Sequence, residues 1–123
     1  MNDRPLARRH ILVVEDEYLL AEEVTMALRD KGATVLGPAP TIETAMVLLD
    51  SEAQPDGAIL DVNLGGEPVF PVADVLIGRG IPIIFTTGYD ASALPERFSH
   101  LPRCEKPINM HQVAAALCRA LQA

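Results

Sequence analysis

The chain has almost no aromatic residues: three Phe, two Tyr and no Trp in 123 positions, 4% of the whole. A core built from it must be aliphatic, and the 49% hydrophobic content is enough to pack a globule. No apolar run approaches the length that crosses a bilayer. Met1 to His10 is polar, carries Arg4, Arg8 and Arg9, and lacks the apolar centre of a signal peptide. This stretch is expected to be a short mobile tail over residues 1–9, and with no targeting signal the chain is expected in the cytoplasm, without membrane insertion. Cysteine is scarce too. Cys104 and Cys118 have no metal-type spacing and read as reduced, buried thiols. Positive charge is in deficit, 10 Lys and Arg against 17 Asp and Glu, for a net charge of −7. That balance speaks against nucleic-acid binding.

What is present is one domain's worth of alternating elements. His10–Val14 is a β-branched, buried-strand signal, and Glu15-Asp16-Glu17 closes it. Leu20, Val24, Ala27 and Leu28 then recur at helical spacing up to Gly32. Ala33–Leu36 is a second strand, closed by Gly37-Pro38. Thr41 can cap a second helix with Ile42, Ala45, Met46 and Leu49 inward. Gly57–Asp61 is a third strand, followed by Gly65-Gly66. Pro68 stands at an expected first helical position, and Val69, Ala73, Leu76 and Ile77 form the next apolar stripe. Pro71 is tolerable in a first turn, where its missing N–H has no intrahelical partner.

Ile81–Phe85 and Leu101–Glu105 are the fourth and fifth strands. Asn109 can cap a last helix with Met110, Val113, Ala114, Leu117 and Leu121 inward. Between Tyr89 and His100 the pattern breaks. Pro95 disfavours helix at Leu94, so only a short or frayed fourth helix, around Pro95–Ser99, is expected.

Five strands alternating with helices imply an α/β, doubly wound, five-stranded parallel sheet of order 2-1-3-4-5, a flavodoxin-like (βα)5 domain over residues 10–122. The chemically interesting side chains all fall at carboxyl ends of strands: Glu15 and Asp16 after the first, Asp61 after the third, Thr87 after the fourth, Lys106 after the fifth. Strands one and three are neighbours at the switch point of such a sheet, where ligands bind. Converging carboxylates share a proton or recruit a cation. Three carboxyl groups, waters and a backbone carbonyl suit Mg²⁺ before Ca²⁺, and Asn63 is placed to supply that carbonyl. Carboxylate, Mg²⁺, lysine and hydroxyl together meet the needs of phosphoryl transfer onto an aspartate. Singly, each has a plainer reading: Asp61 as a turn residue, Glu15 as a helix-start acid, Lys106 as a surface lysine, Thr87 as an ordinary strand end. For Glu17 the helix-start reading is the better one.

Taken as an ordered set, Val13-Val14-Glu15-Asp16-Glu17, Leu60-Asp61-Val62-Asn63-Leu64, Thr87-Gly88 and Lys106-Pro107 resemble the receiver domains of two-component response regulators, from about His10 to Leu121. The resemblance implies that Asp61 accepts a phosphoryl group from a histidine kinase or a histidine phosphotransfer protein. It implies that Glu15, Asp16, Asp61 and the Asn63 carbonyl bind Mg²⁺, that Thr87 and Lys106 meet the phosphoryl oxygens, and that the Lys106–Pro107 bond is cis. It also implies a downstream protein partner whose binding is switched by phosphorylation. No output segment follows the last helix, so a stand-alone receiver is expected.

One departure stands out. Where many receivers carry an aromatic switch residue, three positions before the lysine, this chain has Arg103, whose guanidinium must stay hydrated or paired. Phe85-Thr86-Thr87-Gly88-Tyr89 is similar instead to the "FAT GUY" class of receivers, with Tyr89 as the replacement switch aromatic. The short Thr87–Lys106 interval predicts a loosely held face that orders on phosphorylation over Ala91–His100. Two rivals are weighed. One is a Mg²⁺-dependent phosphohydrolase with an aspartyl-phosphate intermediate, which would want an acid where Asn63 stands. The other is a receiver-like binding module that is never phosphorylated.

Overall fold

The computed structural model describes residues 4–51, 54–88 and 94–122. In chain order the elements are β1 (His10–Val14), α1 (Tyr18–Asp30), β2 (Thr34–Ala39), α2 (Ile42–Leu49), β3 (Gly57–Asp61), β4 (Asn63–Leu64), β5 (Glu67–Pro68), α3 (Phe70–Gly78), β6 (Ile83–Thr87), a 3₁₀ turn (Glu96–Phe98), β7 (Arg103–Glu105) and α4 (Met110–Gln122). The five long strands form one parallel sheet in the order β2-β1-β3-β6-β7, while β4 and β5 make a small antiparallel hairpin. Setting the hairpin aside, this is the expected 2-1-3-4-5 doubly wound sheet. Among the described residues the fourth helix is reduced to the 3₁₀ turn.

The sheet is covered on both faces. On one, Leu12, Leu60 and Phe85 pack with Ala45, Leu49, Val72, Ala73 and Leu76 from α2 and α3. On the other, Ile11, Val13, Ile59 and Ile84 pack with Val24, Leu28, Val113 and Leu117 from α1 and α4. Strands buried on both sides need unbroken apolar runs, which is why β1, β3 and β6 read as such. Thr41 caps α2 through a reciprocal pairing with Thr44, and Asn109 accepts from the N–H groups of His111 and Gln112 to start α4.

Several expectations need correction. Residues 4–9 are not a loose tail: Leu6 is fully buried among α1 and α4 side chains, and its N–H bonds the Lys31 carbonyl at 2.8 Å. One leucine among arginines carries no periodicity, so its anchoring role was invisible. Pro68 does not open α3. Gly65 and Gly66, with φ of +59° and +96°, fold the chain back first, so Pro68 lies in β5 and Pro71 occupies the first helical turn. The helix is thereby rotated, and Ile77 is left 42% exposed while Val72, Ala73 and Leu76 face inward.

β6 and β7 begin two residues later than expected. Pro82 and Pro102 accept from Ala58 and Phe85 but have no N–H to return, so the ladder starts after them. β2 runs through Gly37-Pro38 to Ala39. A Cβ on Gly37 (φ +97°) would lie 2.9 Å from the Val13 carbonyl, so only glycine passes there. The Gly37–Pro38 and Lys106–Pro107 bonds are both cis.

The face beside β6 is not loose over residues 94–101. Phe98 is 1% exposed and sits between Phe70 and Phe85, with ring centroids 5.3 and 5.6 Å away. Arg97 stacks on Phe98 and pairs with Asp74 on α3 at 3.1 Å. The remainder of the segment expected to order, residues 91–93, lies outside the described residues.

Candidate functional site

Strand geometry alone brings the polar residues together. The Glu15 N–H bonds the Ala39 carbonyl at 3.0 Å, so the residue is still tied to β2 at the point where the chain turns towards α1. Asp61 is the last residue of β3 and lies opposite Thr86 of β6. Thr87 ends β6, and its carbonyl accepts from the Lys106 N–H at 2.7 Å, which fixes Lys106 just past β7. One carboxylate oxygen each from Glu15, Asp16 and Asp61 lies within 4.8 Å of the others. Glu15 and Asp61 are buried and Asp16 is exposed, so the cluster opens to solvent on one side.

Lys106 bridges the buried pair, with Nζ 3.1 Å from Asp61 Oδ2 and 3.4 Å from Glu15 Oε1. The other oxygens are also engaged: Glu15 Oε2 accepts from the Glu17 N–H at 3.0 Å, and Asp61 Oδ1 from the Asn63 N–H at 3.3 Å. One ammonium cannot balance three carboxylates. Burial pushes the Glu15 carboxyl up to about 7, and the adjacent Asp61 adds to the rise against the opposing Glu17 N–H and Lys106. Burial alone would lower the Lys106 pKa, but Asp61 and Glu15 outweigh it and raise it, so the lysine is firmly cationic. The site therefore lacks positive charge, which is the state a divalent cation relieves. An all-oxygen donor set, open on one side for waters, fits Mg²⁺.

Thr87 Oγ1 is buried and, among the described residues, has no hydrogen-bond partner. Thr87 is one of the residues lining a pocket of about 300 Å³, together with Asp16, Asp61, Val62, Asn63, Gly65, Gly88 and Lys106. A hydroxyl left unpaired beside an acid cluster is costly unless a ligand meets it. Glu17 is exposed at the start of α1, and only its backbone N–H reaches the site; its carboxylate is not part of the acid cluster. Arg103 is exposed on β7. Tyr89 lies outside the described residues.

The hairpin is what sequence reasoning missed at the site. It was signalled by Gly65-Gly66, the two-residue composition that such turns require. Its backbone borders the acids: a Cβ on Gly65 would lie 3.6 Å from Asp16 Oδ2.

Comparison with known proteins bears on this geometry. The Phyllosphere-induced regulator PhyR of Methylorubrum extorquens is 35% identical over 120 residues, covering 90% of this chain and 43% of that protein. The solution structure of SdrG from Sphingomonas melonis Fr1 is 40% identical with a TM-score of 0.81, covering 94% of this chain and 97% of that one. A response regulator receiver protein from Sinorhizobium medicae WSM419 is 27% identical with a TM-score of 0.79, covering 94% and 95%.

The chain belongs to the response regulators, as a receiver domain. No protein-family model matches it. The receiver spans under half the length of the curated relatives it matches, 43% of PhyR and 35% of the DNA-binding response regulator MtrA of Mycobacterium tuberculosis. Among the described residues, no helix of the receiver is long and apolar enough to cross a membrane.

Proposed function

We propose that this receiver is phosphorylated on Asp61 by a histidine kinase or a histidine phosphotransfer protein, and that the acyl phosphate switches its binding to a downstream protein. The observation that carries the reading is the convergence of Glu15, Asp16 and Asp61 within 4.8 Å, with Lys106 Nζ 3.1 Å from Asp61. Glu15, Asp16, Asp61 and the Asn63 carbonyl would hold Mg²⁺, which when bound neutralises charge on the phosphoryl oxygens.

The chain's own groups do the rest. An Oδ of Asp61 attacks phosphorus in line; the P–N bond to the donor imidazole breaks, its electron pair stays on that nitrogen, and the imidazole, already protonated on its other ring nitrogen, leaves neutral. Lys106 pairs with a phosphoryl oxygen, and Thr87 Oγ1 gains the partner it lacks. Each such charge-assisted bond contributes about 1.5–3 kcal/mol. Only the part that differs between the two states moves the equilibrium. Tyr89 is the switch aromatic in this reading, in the manner of the FAT GUY receivers.

The same reading puts the protein in the cytoplasm, with its two cysteines unpaired, and its net charge of −7 disfavours a direct nucleic-acid partner. It is a signalling domain that catalyses only its own phosphorylation and dephosphorylation. The phosphohydrolase rival is disfavoured because Asn63 cannot serve as an acid and its Oδ1 already accepts from the Gly66 N–H at 2.8 Å. Incubation with a small phosphodonor and Mg²⁺ tests the proposal. A hydroxylamine-labile phosphoryl adduct on the wild type and none on Asp61→Asn supports it; equal labelling of both, or of neither, overturns it.

A further inference from the structure

The parallel sheet ends on two edge strands, β2 and β7. Open backbone groups on such an edge invite a further strand, and proteins guard against it. β2 carries Pro38, which has no N–H, and its register against β1 shifts after Leu12. β7 has neither device. The Pro102 carbonyl accepts from the Phe85 N–H, and the Lys106 N–H donates to the Thr87 carbonyl, so both groups face β6. Backbone direction alternates along a strand. Cys104 therefore faces β6 as well, and the N–H and carbonyl groups of Arg103 and Glu105 face outward. Among the described residues no strand meets them. A cleft of about 560 Å³ lies between β7 and α4, where Ala115 and Ala116 are small enough to leave the edge open.

Charge decides what can add here. Arg103 and Glu105 are exposed and share one face of the sheet, while the buried Cys104 lies on the other. Let a second copy of β7 run antiparallel, with Cys104 opposite Cys104. Arg103 of each copy then stands opposite Glu105 of the other, at both ends of the contact. These are also the positions whose outward N–H and carbonyl groups bond each other in an antiparallel ladder. A slide of two residues sets Arg103 against Arg103, or Glu105 against Glu105. A parallel partner in register repeats that clash. Edge charges commonly discourage pairing; these discourage every arrangement but one.

We propose that this chain forms a two-fold dimer through β7, in which the strands of two copies pair antiparallel about Cys104 and join the two sheets into one. The pairing does not depend on the phosphoacceptor reading, since no residue of β7 belongs to the acid cluster. A pair of three-residue strands with exposed ion pairs is a small contact, so the dimer is weak and sensitive to salt.

Sedimentation equilibrium at low salt, up to about 1 mM chain, covers the range of such contacts. The wild type is expected to show a monomer–dimer equilibrium that weakens as salt is added. Arg103→Glu and Glu105→Arg each set like charges at both contacts, and each is expected to weaken association about tenfold or more. Mixed one to one, the two variants are complementary at every contact and are expected to dimerise with each other. In NMR the Arg103 and Glu105 amides are expected to gain exchange protection with concentration, while the Cys104 amide, already turned to β6, stays unchanged. A wild type that remains monomeric at about 1 mM overturns the proposal. So does association that survives both charge reversals, or that both reversals abolish and mixing does not restore. A dimer that leaves the Arg103 and Glu105 amides exchanging freely overturns it too, because it then forms through side chains and not through the strand edge. None of these outcomes bears on labelling of Asp61.

Discussion

At the scale of single residues the site is a set of groups held short of their preferred partners. Thr87 shows it most directly, because its buried hydroxyl bonds nothing among the described residues. Replacing it with the isosteric valine removes a desolvated polar group and no hydrogen bond. Thr87→Val is expected to leave unphosphorylated stability unchanged or higher by about 1 kcal/mol in urea denaturation. The same variant is expected to lose phosphorylation-dependent partner binding in a pull-down, since the hydroxyl is then absent where it is needed.

Glu15 makes a second prediction. Its carboxyl is raised to about 7 from an ordinary 4.5, so the folded, metal-free protein holds a proton that the unfolded chain releases. That contribution to stability is complete below about 4.5 and is lost as pH rises through about 7. Thermal melts without Mg²⁺ are expected to fall across that window, and Glu15→Gln to flatten the decline. Lys106 has the same sign of shift but acts above its ordinary 10.5, outside the window. An unchanged slope in Glu15→Gln would show that other groups govern the pH response.

At the scale of elements, two short segments do work that their length hides. Among the described residues the 3₁₀ turn Glu96–Phe98 stands where a helix would, and Phe98 docks it between Phe70 and Phe85. Phe98→Ala is expected to cost about 3–5 kcal/mol, as large-to-small changes at fully buried aromatics do. Arg97→Ala removes an exposed pair and is expected to cost no more than about 1 kcal/mol. Comparable losses from the two would mean that charge, and not the ring, holds the turn. Phe85 lies two residues before Thr87 on β6, so the docked ring and the site hydroxyl share one strand. The N-terminal segment is the other case: Leu6→Ala is expected to cost about 2–5 kcal/mol in chemical denaturation, where a loose tail would cost nothing.

At the scale of the whole molecule, the parallel sheet is the device that makes the site. Each strand of such a sheet delivers its last residue to the same edge, and β1 and β3 are adjacent where the helices change faces. Acids that are distant in sequence, Glu15 and Asp61, meet there, and Lys106 arrives from the far edge strand to sit between them. The fold holds these carboxylates together without enough positive charge, a shortfall that a divalent ion would relieve.

Periodicity made most of this legible. Buried parallel strands must be apolar throughout and helices must carry a stripe, so strand order, helix faces, both caps and the acid edge follow from local pattern. Leu6, Phe98 and the rotation that exposes Ile77 have no such local signature, because each depends on what lies across the core. The hairpin was spelled out by Gly65-Gly66, yet its place against Asp16 was not. The sequence by itself determined which side chains reach the carboxyl edge, since alternation of strand and helix leaves them nowhere else. Only the tertiary structure decided how closely they crowd, which of them Lys106 bridges, and that Thr87 stays unpaired, because those depend on register and packing between segments far apart in the chain.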